Sequence, residues 1–212
     1  MRSVFLMVSS VLDALLPPAP DVVLARALNE EALGRLLSPR SAGPATTLFP
    51  YRDERVRALI RAIKYRGDTR TLPRVGVFLG EYVLAMLAEK RMLAGWKNPL
   101  IVPVPSSPER LKARGYNQAE RIAEAMLPHI PEARFAPHIL SREERASQVS
   151  VAPGERRKNV RGAFFVPDAG PVRGRFIFLI DDVVESGATV EDAMRALRAA
   201  GAKDIAAVAL AH

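Results

Sequence analysis

Two adjacent carboxylates, Asp181 and Asp182, end an apolar run in the stretch FIFLIDDVVESGAT, residues 176–189. A loop of small and hydroxyl-bearing residues comes after them, consisting of Ser186, Gly187, Ala188 and Thr189. A helix is predicted to begin near Thr189. Backbone N–H groups of such a loop can surround an anion, and the positive end of the helix dipole favours the same place. Ribose 5-phosphate fits this arrangement, with its phosphate in the loop and its 2′ and 3′ hydroxyls against the two carboxylates.

A second group of candidate residues is basic and follows a short strand predicted over residues 99–105. The loop after this strand carries Arg110, Lys112 and Arg114 on alternate residues, and Gly115 permits a tight backbone. Basic side chains in such a loop can hold a multiply charged leaving group, whose charge stabilisation would be the largest catalytic contribution available here. A solvated basic loop before a helix is the alternative interpretation.

Strands and helices are predicted to alternate along the chain from residue 51. Apolar residues at helical spacing predict helices at 52–67, 73–92, 117–130 and 190–202. Strands are predicted at 99–105, 162–167, 175–180 and 204–212. This alternation indicates an α/β protein with a mostly parallel sheet covered on both faces, where ligands bind at the carboxyl ends of the strands. Strand 175–180 is apolar on both faces, so we expect it to be central and to bring both acids to that edge.

The first part of the chain gives weaker signals. Residues 17–50 are rich in proline and small residues, which predicts an irregular segment around one short helix near 21–37. The stretch before them resembles a short helix stopped by Pro17 and Pro18 more than an export signal, because Asp13 interrupts its apolar run. No apolar stretch approaches the about 20 residues of a membrane span. We therefore expect a cytoplasmic protein.

Composition narrows the possible chemistry. The 212 residues suffice for one medium domain with a small appendage, and the absence of cysteine excludes disulfides, thiolate zinc sites and a cysteine nucleophile. Three scattered histidines, His129, His138 and His212, do not build a metal site by themselves. The net charge of +8 favours polyanionic partners such as phosphates or nucleic acid, although a solvated arginine-rich surface would give the same balance.

Residues 176–189 resemble the signature of type I phosphoribosyltransferases: an apolar strand, two acids, two spacers, a variable residue, Thr or Ser, Gly, a small residue and Thr. The resemblance implies the fold of that superfamily, with a small N-terminal segment added here. It also implies that Asp181, Asp182 and the following loop bind the ribose phosphate part of phosphoribosyl pyrophosphate (PRPP), with Mg²⁺ held near the acids through water. Glu185 occupies the variable position, where it either handles a proton of the base or faces solvent or magnesium-bound water. For the whole stretch, an acidic helix cap after a buried strand is the structural alternative.

Further motifs are similar to the ComF family within this superfamily. They are Lys64-Tyr65, the run Arg114 to Gln118, and Gln148 with Arg156 and Asn159, so the resemblance covers about residues 51–212. It implies that Lys64 and Arg114 lie near pyrophosphate, and we add Arg110 to this set. Family members usually carry a cysteine-based zinc module after a Leu-x-Pro-Pro motif, whereas this chain keeps ALLPP at 14–18 without any cysteine. We therefore expect a degenerate module without zinc at 1–50 and a phosphoribosyltransferase-like domain at 51–212.

Apolar contacts could rebuild the missing module, and the candidates are Val22, Val23, Leu24, Leu28, Leu33, Leu36 and Leu37.

Three functions follow from these patterns. The first is a magnesium-dependent transferase that passes phosphoribosyl from PRPP to an unidentified nitrogenous acceptor. ComF relatives are linked to DNA uptake, so the second is binding of single-stranded DNA by Arg142, Arg145, Arg156, Arg157 and Arg161. Four tyrosines and one tryptophan offer few stacking platforms for this role. The third is a regulator that senses PRPP without turnover. The polar stretch that holds these arginines is equally consistent with a flap, a basic face or a solvated connection, and the sequence leaves the oligomeric state open.

Overall fold

A central sheet flanked by helices organises the computed structural model, which describes residues 18–143 and 162–212. The strands are β1 (Arg40–Ala42), β2 (Ala45–Phe49), β3 (Leu100–Pro103), β4 (Arg134–Phe135), β5 (Ser141–Arg142), β6 (Phe164–Phe165), β7 (Phe176–Val183) and β8 (Asp204–Ala211). The helices are α1 (Pro20–Ala27), α2 (Glu30–Leu36), α3 (Glu54–Tyr65), α4 (Leu72–Ala94), α5 (Pro108–Arg114), α6 (Gln118–Met126) and α7 (Ala188–Ala199). A 3₁₀ turn over Leu127–His129 follows α6.

The main sheet has six strands in the order β1-β2-β8-β7-β3-β4. All neighbouring pairs are parallel except β1 with β2. Strand β7 is central, since Ile180 is in register with Pro103 on one side and with Val208 on the other. The predicted mostly parallel sheet and the central position of this strand are therefore confirmed.

Both faces of β7 are buried, but against different helices. Phe176, Phe178 and Ile180 belong to the apolar core formed with α1 to α4 and α6. Ile177 and Leu179 belong to a second core that includes the buried side of α7. Burying one such side chain contributes about 1.5–3 kcal/mol, so this strand is held strongly on both sides. The prediction of helices on both faces is confirmed.

Local signals explain where the longer helices begin and end. The Asp53 carboxylate accepts a hydrogen bond from the Arg55 N–H at 2.9 Å and so caps α3. Helix α4 ends at Gly95, which adopts the left-handed conformation with a φ of 65°. The single helix expected near 21–37 is instead two helices, because the chain leaves helical geometry at Leu28 and Asn29 caps α2 through a bond from the Ala32 N–H.

Residues 40–49, expected to be irregular, form the edge of the main sheet. Strand β2 pairs with β8, placing Phe49 beside Ala211, and β1 then covers the outer edge of β2. The sequence ATTLF carries the β-branched and aromatic residues that favour such a strand. The division of the chain at residue 50 stays a prediction, and the sheet contains strands from both sides of that position.

The 162–167 strand is shorter than predicted and lies outside the main sheet. Its core, β6, pairs antiparallel with β5, with Phe164 opposite Arg142. The predicted 117–130 helix is also shorter, since α6 ends at Met126 before the 3₁₀ turn that contains Pro128. Proline at this point lacks the N–H that a continuing α-helix needs.

Apolar contacts fix the N-terminal helices in the described chain. Val22, Leu28, Leu33 and Leu36 are buried in the first core, whereas Val23 and Leu37 are exposed and Leu24 is half-buried. The first four are thus the members of the predicted apolar set that dock this segment.

No helix in the described ranges combines the length and the apolar character needed to cross a membrane.

Candidate functional site

A cavity of about 780 Å³ opens at the carboxyl ends of β3 and β7. We call it the carboxylate cavity. Its lining includes the charged residues Lys64, Arg110, Arg114, Arg142, Asp181, Asp182 and Glu185. It also includes the predicted small-residue loop, Ser186, Gly187, Ala188 and Thr189. The structure therefore brings together every acid and loop residue predicted for the ribose phosphate, and all three cations predicted for pyrophosphate.

The two acids lie in the last residues of β7, which continues to Val183 rather than ending before them. Asp182 is almost fully buried, and its Oδ2 lies 2.9 Å from the Nζ of Lys64. Its backbone N–H donates to Asp181 Oδ1 at 2.8 Å, and the Val183 N–H donates to Asp182 Oδ1 at 2.7 Å. The sheet and these bonds together fix both carboxylates at the floor of the cavity.

Asp181 has a strongly altered acidity. Burial is the main cause and the negative charge of Asp182 is the second, and together they raise the pKa of Asp181 from 3.8 to about 8. The charge of Lys64 acts in the opposite direction. Near neutral pH Asp181 therefore holds a proton. Perturbed carboxyl pairs of this kind are common where a protein must bind or neutralise a charged ligand.

The small-residue loop leads into the N-terminus of α7 through Gly187, whose φ is 78°. The helix begins at Ala188, one residue before the predicted start. In the described ranges, no protein group accepts a hydrogen bond from the backbone N–H groups of residues 188–190. Such donors at a helix start, together with the helix dipole, form an anion site.

The turn between β1 and β2 supports this loop. A Cβ added at Gly187 would lie 2.9 Å from Cδ of Pro44, and one added at Gly43 would lie 3.8 Å from Cα of Gly187. Glycine is thus required at 187 both by its backbone conformation and by this close approach. Sequence reasoning missed Gly43 and Pro44, although a Gly-Pro pair is a turn signal.

The basic residues after β3 are on a helix and not on the predicted loop. Ser107 caps α5, Pro108 occupies its first turn, and Gly115 ends it with a φ of 78°. In a helix, residues two apart point in different directions, whereas residues four apart share a face. Arg110 and Arg114 accordingly both line the cavity, while Lys112 is exposed and does not. The prediction that these residues lie on a loop was wrong, and helical spacing places only two of the three at the cavity.

Polar contacts hold the wall of the cavity around Arg114. Its Nη1 donates to Oε1 of the buried Gln118 at 2.9 Å, and its guanidinium lies 4.7 Å from the ring centre of Tyr65. Asn117 donates through Nδ2 to the Val104 carbonyl oxygen at 3.1 Å. These contacts order the connection between β3 and α6, so the backbone that carries Arg110 and Arg114 has a fixed position beside the cavity.

Arg142 was predicted for nucleic acid, but the structure places it in the carboxylate cavity. Burial lowers the pKa of Arg142, and the positive charge of Arg110 lowers it further, against the attraction of Asp181. Two guanidinium groups that repel each other inside one cavity favour an anion between them. The other residues predicted in this stretch lie outside the described ranges: Arg145, Gln148, Arg156, Arg157, Asn159 and Arg161.

A buried carboxylate on α7, Asp192, fixes the strand that faces Arg142. It accepts hydrogen bonds from the backbone N–H groups of Gly162 at 2.6 Å, Ala163 at 2.9 Å and Phe164 at 3.2 Å, and from Arg195 at 2.8 Å. Burial alone would raise the pKa of Asp192, but the Gly162 and Arg195 hydrogen bonds bring it below its usual value. Sequence reasoning placed Asp192 on a helix and had no signal for this contact.

The chain matches the phosphoribosyl transferase domain family over residues 81–212. It belongs to this family. Competence protein ComFC of Streptococcus pneumoniae is 34% identical over 130 residues, which are 61% of this chain and 55% of the relative. Competence protein F of Haemophilus influenzae is 27% identical over 113 residues, 53% of this chain and 49% of the relative. The chain thus spans about half the length of these curated relatives, and its predicted resemblance to ComF proteins is confirmed.

Solved phosphoribosyltransferases are also similar to this family member. Adenine phosphoribosyltransferase from Leishmania tarentolae aligns at 13% identity with a TM-score of 0.43, over 82% of this chain and 94% of that one. These values are too low to support an argument about function, so the assignment depends on the sequence match and on the topology of the sheet. Lys64 precedes the matched residues, yet the fold brings it to the cavity.

The acids of this phosphoribosyltransferase-family site suit a weakly held Mg²⁺. The described residues contain no cluster of three or more His, Cys, Asp or Glu side chains that could enclose a metal. Mg²⁺ commonly keeps several waters and uses one or two carboxylates plus substrate phosphates. Asp181 and Asp182 at the cavity floor fit that limited role. Glu185 is exposed on the cavity lining, a position consistent with both interpretations of it.

Proposed function

We propose that this protein binds PRPP together with Mg²⁺ in the carboxylate cavity. The observation that supports this best is the combination of three elements in one cavity: an acid pair, a loop with unpaired N–H groups, and a set of cations. A simple sugar would not use all three, because it carries no phosphate. PRPP would, because it carries a diol, a monophosphate and a pyrophosphate on one ribose.

Each part of the cavity takes one part of the ligand in this proposal. Asp181 and Asp182 accept hydrogen bonds from the ribose hydroxyls, and the N–H groups at the start of α7 bind the 5′-phosphate. Lys64 pairs with Asp182 at 2.9 Å in the described structure. When hydroxyls occupy Asp182, the ammonium group of Lys64 becomes available to pyrophosphate alongside Arg110 and Arg114.

Transfer of the phosphoribosyl group would follow from this arrangement. The bond between the anomeric carbon and the pyrophosphate oxygen breaks, and a nitrogen of the acceptor forms a new bond to that carbon. Arg110, Arg114 and Lys64 stabilise the charge on the departing pyrophosphate, which is the electrostatic contribution expected to dominate. The proton released from the acceptor nitrogen passes to Glu185 or to water. Binding without this step would make the protein a PRPP sensor.

Calorimetric titration of PRPP with and without Mg²⁺ tests the binding proposal. We expect saturable binding by the wild type, and none by the Asp181→Asn/Asp182→Asn double variant. Asp168→Asn is the matched control, since Asp168 is an exposed acid that hydrogen-bonds within its own turn. Absence of binding by the wild type, or equal binding by the double variant, would count against the proposal.

Release of pyrophosphate tests turnover separately from binding. PRPP would be incubated with a panel of nitrogenous bases, with and without single-stranded DNA. We expect at least one acceptor to release pyrophosphate, and Glu185→Gln shows whether this acid handles the proton. Binding of PRPP with no release on any base would favour the sensor.

Binding of single-stranded DNA is the second candidate function, and we link it to DNA uptake through the relatives named as competence proteins. A cavity of about 680 Å³ adjoins the first and shares Lys64, Arg110 and Arg114 with it. Tyr65 lines this second cavity and is 62% exposed. Exposed aromatic rings beside cations are the usual means of binding single strands. Trp96, in contrast, is buried and stacks on Phe176.

Fluorescence anisotropy with a labelled oligo-dT strand tests this second function. Tyr65→Ala should weaken binding by about tenfold, since stacking one base contributes about 1–3 kcal/mol. Tyr65→Phe keeps the ring and should bind like the wild type. Affinity should also fall steeply as salt increases. A flat salt response, or no binding at low salt, would reject DNA binding.

A further inference from the structure

A separate basic cavity of about 530 Å³ lies at the ends of β2 and β8. We call it the arginine cleft. Its charged lining consists of Arg40, Arg52 and Arg57, joined by His212. Among the described residues, those that line it include no aspartate or glutamate. It shares no lining residue with the carboxylate cavity, so what binds in it is independent of the PRPP proposal.

The three arginines of the cleft lack the carboxylate partners that some other arginines of the chain have. Arg55 is paired with an aspartate at 2.7 Å and Arg195 with another at 2.8 Å. In the described part of the chain, no carboxylate forms an ion pair with Arg40, Arg52 or Arg57. Among the described residues, the cleft therefore concentrates positive charge with no carboxylate side chain on its lining.

The contacts that these arginines do make leave most of their donors available. Arg57 Nη1 donates to the Arg52 carbonyl oxygen at 3.0 Å, and Arg40 Nε donates to the Ser38 hydroxyl at 3.3 Å. A guanidinium has five N–H donors in a planar fork that matches the oxygen atoms of phosphate. The bond from Arg57 also orients its side chain, which is half-buried. This partial ordering reduces the entropy that a ligand must overcome on binding.

We propose that the arginine cleft binds a compact ligand with two or more phosphate groups, such as an oligophosphate or the phosphate tail of a nucleotide. The volume is within the range of about 300–1,000 Å³ typical of small-ligand pockets. The three guanidinium groups line one cavity and do not form a track along the surface, which favours a compact ligand over a strand of nucleic acid. Tyr51, on the same lining, offers a partly exposed ring beside the phosphates.

The cleft is also a neighbour of the carboxylate cavity. Nδ1 of His212 lies 2.7 Å from the carbonyl oxygen of Val184, and Val184 lines the carboxylate cavity. Tests of ligand binding must therefore separate the two sites by substitution. Arg110 and Arg114 serve to weaken the first site, and Arg52 and Arg57 the second.

Calorimetric titration with inorganic tripolyphosphate at low salt tests the proposal. In the Arg110→Gln/Arg114→Gln variant, we expect one saturable site to remain. Adding Arg52→Gln and Arg57→Gln should weaken that site by at least about tenfold, because charge-assisted hydrogen bonds are lost. Adding Arg61→Gln instead is the matched control, since Arg61 is exposed on the same helix and lines neither cavity. Its effect should be negligible.

Three outcomes would overturn the proposal. The first is no saturable binding to the Arg110→Gln/Arg114→Gln variant, and the second is equal binding after Arg52 and Arg57 are also replaced. The third is a DNA oligonucleotide without terminal phosphates that displaces tripolyphosphate from the cleft at lower concentration than a nucleoside triphosphate does. If thermal unfolding shows that the combined variant does not fold, Arg40→Gln is added to the Arg110→Gln/Arg114→Gln variant in place of Arg52→Gln and Arg57→Gln. Arg40 lies on the exposed edge strand.

Discussion

The two sides of the carboxylate cavity are built in opposite ways. The acid side, Asp181 to Thr189, comes from one continuous stretch that runs from a central strand into a helix. The basic side is assembled from α3, α5 and β5, which contribute Lys64, Arg110 with Arg114, and Arg142. The first depends on local backbone geometry, whereas the second depends on how distant elements dock. The acid side therefore fixes where a ligand lies in the cavity, and the basic side supplies the positive charge that attracts it.

Rigidity differs between the two sides for the same reason. Strand β7 is hydrogen-bonded along its length, and Val183 is still in register with Ala211 beyond the two acids. The basic side uses long side chains that move at their tips and can exchange one anionic partner for another, as Lys64 would exchange Asp182 for phosphate. Substitutions on the acid side should therefore alter geometry, and those on the basic side should mainly alter affinity.

Among single substitutions, the largest effect on ligand binding is expected from Gly187→Ala. The new Cβ would lie 2.9 Å from Pro44 Cδ, and the positive φ adds strain of about 1–2 kcal/mol. Displacing the loop should remove two or more charge-assisted hydrogen bonds to the 5′-phosphate, and thus about a hundredfold in affinity. Calorimetry with ribose 5-phosphate measures this loss.

Gly174→Ala is the matched control for this substitution. Gly174 has a similar φ of 71°, but a Cβ there would meet no atom within 4 Å. It therefore adds the backbone strain without the collision and should leave ligand affinity unchanged. An equal loss of affinity in both variants would mean that the contact with Pro44 does not matter.

A smaller effect is expected from Arg110→Gln on the basic side. Losing one charge-assisted hydrogen bond should weaken pyrophosphate binding by about tenfold, with little change for ribose 5-phosphate. Lys112→Gln removes the same charge from the same helix at a position outside the cavity lining, and should have no effect. Equal effects of the two substitutions would show that net charge matters and the position of the cation does not.

A different kind of effect, on stability and not on ligand affinity, is a change in the pH dependence of the free energy of unfolding in Asp181→Asn. Between its ordinary pKa of 3.8 and about 8, folded Asp181 keeps a proton that the unfolded chain has released, so the free energy of unfolding falls as pH rises. Asparagine cannot ionise, so the variant should lose this slope and be more stable than the wild type at pH 8. Urea unfolding at pH 5 and pH 8 measures the difference. Parallel pH profiles would mean that the pKa of Asp181 is not raised in the folded protein.

The acid side could be predicted from sequence because its signals are local. A continuous apolar run indicates a central strand, and the change to two acids and small residues marks its end and the following turn. Only boundaries shifted, with β7 reaching Val183 and α7 beginning at Ala188. Whether these residues bind a phosphorylated sugar stays a prediction.

Helix α5 was missed although its signals were present. Ser107 and Pro108 are a typical cap and first residue, and Gly115 is a typical end. The basic residues between them favoured the prediction of a loop, but the residues at the two ends determine the structure. The error had a functional consequence, since it grouped Lys112 with two arginines that face elsewhere.

The position of Arg142 could not be predicted from local patterns. It depends on the pairing of β5 with β6 and on the docking of β6 against Asp192, residues far apart in the chain. The edge strands β1 and β2 could not be predicted from local patterns either. A strand of five residues next to prolines is too short to show a clear periodicity, and β2 depends on its pairing with β8.

The Asp192 contacts also join two parts of the chain that are far apart in sequence. The Glu143 N–H donates to the Ala163 carbonyl oxygen at 2.9 Å, and Asp192 binds the backbone from Gly162 to Phe164. Residues 143 and 162 are thus held close together and are secured from α7. An acid that does not line the carboxylate cavity therefore helps to hold the strand that presents Arg142 to it.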